Sequence, residues 1–321
     1  MGKLACVFPG QGSQSVGMGK DLFDKHGEAR EVLNKIDTIA GRSLTKLCFE
    51  GPEDELKRTI NTQPTILAVS IAAWHCYRSN GGPLPQYVAG HSLGEFTAVH
   101  AAGALGLDDA IKLVDKRSRL MEECPRGAMS AVIGMAAEKL EQICQETSNE
   151  MDAGANGTDN VVIVANFNTR EQLVISGSPK AVAVAGAKAK TEGAKVIPLP
   201  VGGAFHSPLM HAAAMEFEQL IVSTTFSDAL FPIVQNLDAK EALAASDVKA
   251  KLASQMPNSV RWCESIEYML KQGVDTFVEI GPGKALAGMV KKIDRQARVF
   301  NIYDDQTLQE TLLSLRQALA V

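Results

Sequence analysis

Between an apolar run, Tyr87-Val88-Ala89, and a helix-like segment, Glu95 to Ala104, the chain reads Gly90-His91-Ser92-Leu93-Gly94. A serine with a glycine two residues to either side, set between a strand and a helix, has the pattern of a nucleophile elbow. Such a turn is sharp enough to need small residues where the backbone passes close to itself. It therefore fixes a strand, a tight reversal and a helix lying back over the sheet, which is the repeating unit of an α/β fold. A second reading stays open at this point: Ser92 could cap the following helix through its hydroxyl.

The rest of the first third fits the α/β pattern. Leu4 to Phe8 reads as a continuous apolar strand, as expected of a parallel strand covered on both faces. Asp21 to Ile39 and Gln63 to Ser79 read as helices. The middle has a different order. Ala128 to Met135 reads as a strand and Ala137 to Asn149 as a helix, followed by a polar loop from Asp152 to Asn160. Within that loop, Ala153 to Asp159 looks like a loose surface insertion. Strands at Val161–Ala165 and Gln172–Ser176 are separated by Asn166-Phe167-Asn168-Thr169. Then come a helix, Pro179 to Glu192, and a strand, Lys195 to Val201. That order, βαββαβ, is ferredoxin-like. Phe277 to Ile280 and the Gly281-Pro282-Gly283 turn then return to the α/β pattern. The expectation is a large α/β-hydrolase-like subdomain with a parallel sheet, residues 1–126 and 202–321, carrying a smaller ferredoxin-like insert, residues 127–201.

Composition narrows the class. The 321 residues carry a net charge of -5, which gives no support to nucleic-acid binding. The six cysteines, Cys6, Cys48, Cys76, Cys124, Cys144 and Cys263, show no metal-site spacing and no disulfide framework, which suits a reducing compartment. The longest apolar run, Thr65 to Trp74, is too short for a membrane span, and no signal segment precedes the first strand. A soluble cytoplasmic protein without a membrane partner is expected.

Four further positions could carry chemistry. Gly10-Gln11-Gly12 follows the first strand, where a ligand loop of an α/β sheet belongs. It lacks the lysine of a phosphate loop, so it is either a plain turn or a donor loop bringing the Gln11 amide to an oxyanion. The partner donor of an elbow is the residue after the nucleophile, Leu93. Among the histidines, His91 is adjacent to Ser92 and diverges from it. His26, His75 and His100 lie in helix-like segments. His206 sits in the loop Gly202-Gly203-Ala204-Phe205-His206, which favours it as a base over its rival His211. No acid stands out to orient it. Arg117 falls inside the apolar stripe Ala110, Leu113, Val114, Leu120, Met121 of a helix running from Asp108 to Glu123. A guanidinium facing inward needs an anion, either a structural carboxylate or one on a substrate.

Taken in order, Phe8-Pro9-Gly10-Gln11-Gly12-Ser13-Gln14, Gly90 to Glu95, Arg117, the His206 loop and Val278-Glu279-Ile280-Gly281-Pro282-Gly283 resemble the malonyl-CoA:acyl carrier protein transacylase family. The resemblance runs to about Lys292. It implies Ser92 as nucleophile, His206 as base, and the Gln11 and Leu93 amides as oxyanion hole. It implies Arg117 as the ligand of the malonyl carboxylate. Gln255 matches the family glutamine whose backbone carbonyl orients the histidine. The implied substrates and partners are malonyl-CoA and acyl carrier protein in fatty acid biosynthesis, with no metal and no other cofactor. An acidic carrier would meet local lysines, with Lys188, Lys190 and Lys195 as candidates. Gly202-Gly203-Ala204 is smaller than the residues common there, which bears on pocket shape.

Overall fold

The computed structural model describes residues 2–152 and 160–319. The expected insertion Ala153–Asp159, and with it most of the Asp152–Asn160 loop, lies outside the described residues. The strands are β1 (Lys3–Phe8), β2 (Tyr87–Gly90), β3 (Ala128–Ile133), β4 (Val162–Thr169), β5 (Gln172–Gly177), β6 (Lys195–Pro198), β7 (Ile233–Val234), β8 (Glu241–Ala242), β9 (Val274–Ile280) and β10 (Arg298–Ile302). One sheet has the order β10-β9-β1-β2-β7-β8, parallel throughout except for β8. The apolar β1 and β2 lie at its centre, buried on both faces as their composition requires.

The second sheet is antiparallel, with order β4-β5-β3-β6. Counted along the chain within this sheet, the spatial order is 4-1-3-2, the ferredoxin-like one. Its β4 is longer than the sequence suggests. Asn166 to Thr169, expected as a connector, continues the strand, with irregularities at Val164/Asn166 and Phe167/Thr169. The cause is tertiary. The Phe167 amide donates to the Val260 carbonyl and the Val260 amide to the Ala165 carbonyl, so a distant loop completes the strand. The Ser259 hydroxyl adds a bond to the Val164 carbonyl at 2.7 Å. In contrast, the last strand ends at Pro198 rather than Val201: the Leu199 amide still reaches the Met129 carbonyl at 2.9 Å, but the Val201 amide turns back to the Leu199 carbonyl.

Among the helices, the expected single helix Asp21–Ile39 is two, Lys20–Lys25 and Gly27–Ala40, separated at His26 in an extended conformation. The helix Thr59–Ser79 is buried along most of its length and packs against Leu107–Glu123 and Gly27–Ala40. No helix among the described residues is long and apolar enough to cross a membrane.

The register of the large sheet places the site. Phe8 of β1 pairs with Gly90 of β2, so the loops leaving their carboxyl ends emerge side by side. Gln11 and the elbow are thereby brought together from positions far apart in sequence.

Candidate active site

Ser92 adopts φ 51, in the left-handed region, as strained elbows do. A Cβ on Gly90 would overlap the Gly94 carbonyl, and one on Gly94 would overlap the Phe8 carbonyl oxygen. Both glycines of the pattern are thus required by close backbone approach. The helix that follows runs from Gly94 to Ala101 with Leu93 at its cap and no side-chain capping bond, so Ser92 is not a capping residue.

Ser92 Oγ instead lies 2.7 Å from His206 Nε2. The other ring nitrogen, Nδ1, faces the carbonyls of Asn258 at 3.1 Å and Gln255 at 3.3 Å. Two acceptors at Nδ1 place the proton there and leave Nε2 to accept from the serine hydroxyl. The absent acid is therefore replaced by two backbone carbonyls, of which the nearer, from Asn258, carries no signal in the sequence. Burial, and after it the Arg117 charge, pushes the His206 pKa down to about 3. The shift favours the neutral imidazole, the form a general base requires.

Arg117 is 1% exposed. Its guanidinium donates to Gln63 Oε1 at 2.6 Å, to Gln255 Oε1 at 2.9 Å and to Ser92 Oγ at 3.0 Å. It also stacks over the Phe96 ring at 5.5 Å, and its Nε has no acceptor among the described residues. All three acceptors are neutral, so the structural carboxylate that would have explained an inward arginine does not pair with it. Burial lowers its pKa to about 10, opposed by the charge of Glu95.

Ser92, His206, Arg117, Gln11 and Leu93 line one cavity of about 180 Å³. Ser92 N–H is taken by Asn236 Oδ1 at 2.7 Å. Gln11 and Leu93 line the same space, and among the described residues their amides have no acceptor. Gln255 contributes its side chain as well as its carbonyl, since Nε2 donates to the Ser92 carbonyl at 2.9 Å.

The other histidines are occupied elsewhere. His91 Nε2 meets Asn168 Oδ1 at 2.8 Å, and its ring packs edge-on against Trp262. His26 pairs with Asp305 at 2.9 Å, and His75 stacks with His100. His211 is exposed at the start of the helix His211–Ser223. Of the candidate carrier-facing lysines, Lys188 is held by Glu150 at 2.7 Å, which leaves Lys190 and Lys195 exposed. A Cβ on Gly203 would strike the Phe205 ring, so a larger residue there would have to displace that ring from the cavity wall. Sequence reasoning missed Gln63, Glu95, Asn236 and Asn258 as site residues. Only Glu95 had a usable signal, its place directly after the elbow.

The family model for the acyl transferase domain matches residues 5–303. The chain is 40% identical to a malonyl CoA-acyl carrier protein transacylase of Bacillus subtilis (strain 168), over 99% of this chain and 98% of that one. It is 38% identical to the protein of that name from Salmonella typhimurium, over 91% and 93%. The structure superposes on the malonyl CoA-acyl carrier protein transacylase of Coxiella burnetii with a TM-score of 0.92, at 36% identity and 97% coverage of both chains. It also superposes on a malonyl-transacylase solved in complex with its type II PKS acyl-carrier protein, with a TM-score of 0.91, 36% identity and coverage of 97% and 99%. The chain belongs to the acyl transferase family, among the malonyl CoA-acyl carrier protein transacylases.

Proposed function

We propose that this protein transfers the malonyl group from malonyl-CoA to the pantetheine thiol of acyl carrier protein by double displacement on Ser92. His206 Nε2 takes the hydroxyl proton as Ser92 Oγ attacks the thioester carbonyl. The C–S bond then breaks, and the departing CoA sulfur receives that proton. In the second half the carrier thiol gives its proton to His206 and attacks the serine ester, and Ser92 recovers the proton as its C–O bond breaks. The Gln11 and Leu93 amides stabilise the oxyanion in both halves. Arg117 forks onto the malonyl carboxylate. The carbonyls of Gln255 and Asn258 hold the imidazole tautomer. The single observation that carries this reading is the contact of one serine oxygen with both His206 and Arg117 in one cavity.

Residues 1–126 and 202–321 form the larger subdomain of this enzyme and 127–201 its insert. It works in the cytoplasm, in fatty acid biosynthesis, a placement supported by six free cysteines. The test is single-turnover mass spectrometry. Brief exposure to malonyl-CoA should place one malonyl group on Ser92, and added acyl carrier protein should carry it off as a thioester. Loss of the adduct to water at the same rate without carrier would make the protein a hydrolase instead.

A further inference from the structure

One buried anion near the site has no part in the reaction above. Glu95 is 1% exposed, on the first turn of the helix Gly94–Ala101. Its carboxylate accepts from Gln255 Nε2 at 2.7 Å, from Gln235 Nε2 at 3.0 Å and from the Asn236 amide at 3.3 Å. Two of these three partners grip the elbow. Asn236 Oδ1 accepts from Ser92 N–H, and its Nδ2 donates to the Gly90 carbonyl at 2.7 Å. Gln255 Nε2 donates to the Ser92 carbonyl, while its Oε1 receives Arg117. The backbone of the nucleophile and the guanidinium are therefore tied to one carboxylate through a single layer of amides.

We infer that Glu95 is a positioning residue for acyl transfer, whose ionised carboxylate fixes the Gln255 amide so that Arg117 and the strained Ser92 turn keep their working geometry. The chemistry turns on donor and acceptor counts. An ionised carboxylate is acceptor-only, so it holds Gln255 with Nε2 toward Glu95 and Oε1 toward Arg117. A protonated Glu95 must donate a hydrogen of its own, and every polar group facing it is already a donor. Relief comes by turning an amide. Gln235, whose Oε1 has no partner among the described residues, would give up its bond to the Val248 carbonyl. Turning Gln255 instead sets its NH₂ against Arg117 and frees the Ser92 carbonyl, and it is this second route that carries protonation of Glu95 to the site.

Arg117, on the helix Leu107–Glu123, is the charged group facing Glu95. The loops contribute neutral Gln235, Asn236 and Gln255, and the ends of β1 and β2 contribute backbone. His91 and His206 flank Ser92, and His100, farther along the same helix, is paired with His75 of the helix Thr59–Ser79. Burial, against the pull of its donors and of Arg117, brings the Glu95 carboxyl up to about 7, whereas His206 titrates far lower. A loss of rate as pH falls through neutrality is therefore expected from Glu95, and its disappearance in Glu95→Gln separates it from a limb of His206, whose basicity rises when a malonyl carboxylate offsets Arg117.

This role presupposes acylation of Ser92, so malonylation of the intact wild-type enzyme is measured first, across pH. Absence of the adduct would overturn the proposed function and this role with it. Given the adduct, Glu95→Gln should slow malonylation by roughly 10²-fold, the scale of a misplaced reacting group, and remove the acidic limb near neutral pH. Glu95→Asp, which keeps the carboxylate, should recover part of the rate and retain a limb. Unchanged rate in Glu95→Gln, or a slower rate with the wild-type limb intact, overturns the role. Should Glu95→Gln not fold, infrared titration of the wild type decides. A carboxylic acid carbonyl band that grows in with the midpoint of the rate limb supports the role, and one with a different midpoint overturns it.

Discussion

At Arg117 the physical chemistry is unusually exposed, because its guanidinium is buried among neutral amides and hydroxyls. Its charge is one reason His206 is a weak base. A malonyl carboxylate would offset that charge, so the right substrate strengthens the base that acts on it, and an acetyl group does not. Arg117→Ala should accordingly lower kcat/KM for malonyl-CoA by roughly 10²-fold, about 3 kcal/mol. Acetyl transfer should hold or rise, because the uncompensated charge is gone. An equal fall on both acyl-CoAs would mean that the arginine serves the fold. At this scale the sequence discloses residues whose chemistry is out of place, such as an arginine in an apolar stripe or a serine between two glycines. It is silent on Gln63, Asn236 and Asn258. Amides are at home on any surface, and their roles here come from neighbours 52 to 144 positions away.

Among the elements, legibility follows how much of the cause is local. The strands β1 and β2 announce themselves by apolar composition, and the elbow by its glycines. The two-residue strands β7 and β8 do not, because so short a pairing has no periodicity to read. The extension of β4 through Thr169 depends on Val260 and is invisible locally. The elbow gives the sharpest test of local cause. In Gly94→Ala the new methyl meets the Phe8 carbonyl, a backbone atom that cannot rotate aside. The expected result is a stability loss of about 1–3 kcal/mol, with acylation impaired more than the stability loss explains. Chemical denaturation and single-turnover acylation, run on the same preparation, check it. A wild-type stability and rate would mean that the turn has room the geometry denies it.

The whole molecule is net acidic, and an acidic carrier must therefore approach a local patch rather than the average surface. Lys190 and Lys195 are exposed, and Lys188 is already paired with Glu150. Apparent KM for acyl carrier protein should rise on the order of tenfold from low to physiological salt, as screening shortens the range of attraction. Replacing Lys190 and Lys195 together with glutamate should raise it further at low salt, whereas a KM flat with ionic strength would place docking elsewhere.

The bonds from Val260 and Ser259 to β4 bear on how such an enzyme can be recombined. The same short loop supplies the Asn258 and Gln255 carbonyls that orient His206. A graft that imported residues 127–201 from a relative would set foreign backbone against Val260, and the error would reach the imidazole within a few residues. The smallest portable cassette is therefore discontinuous, residues 127–201 together with 255–260. A crossover that separates the two parts would inherit a well-formed sheet and a misaligned base.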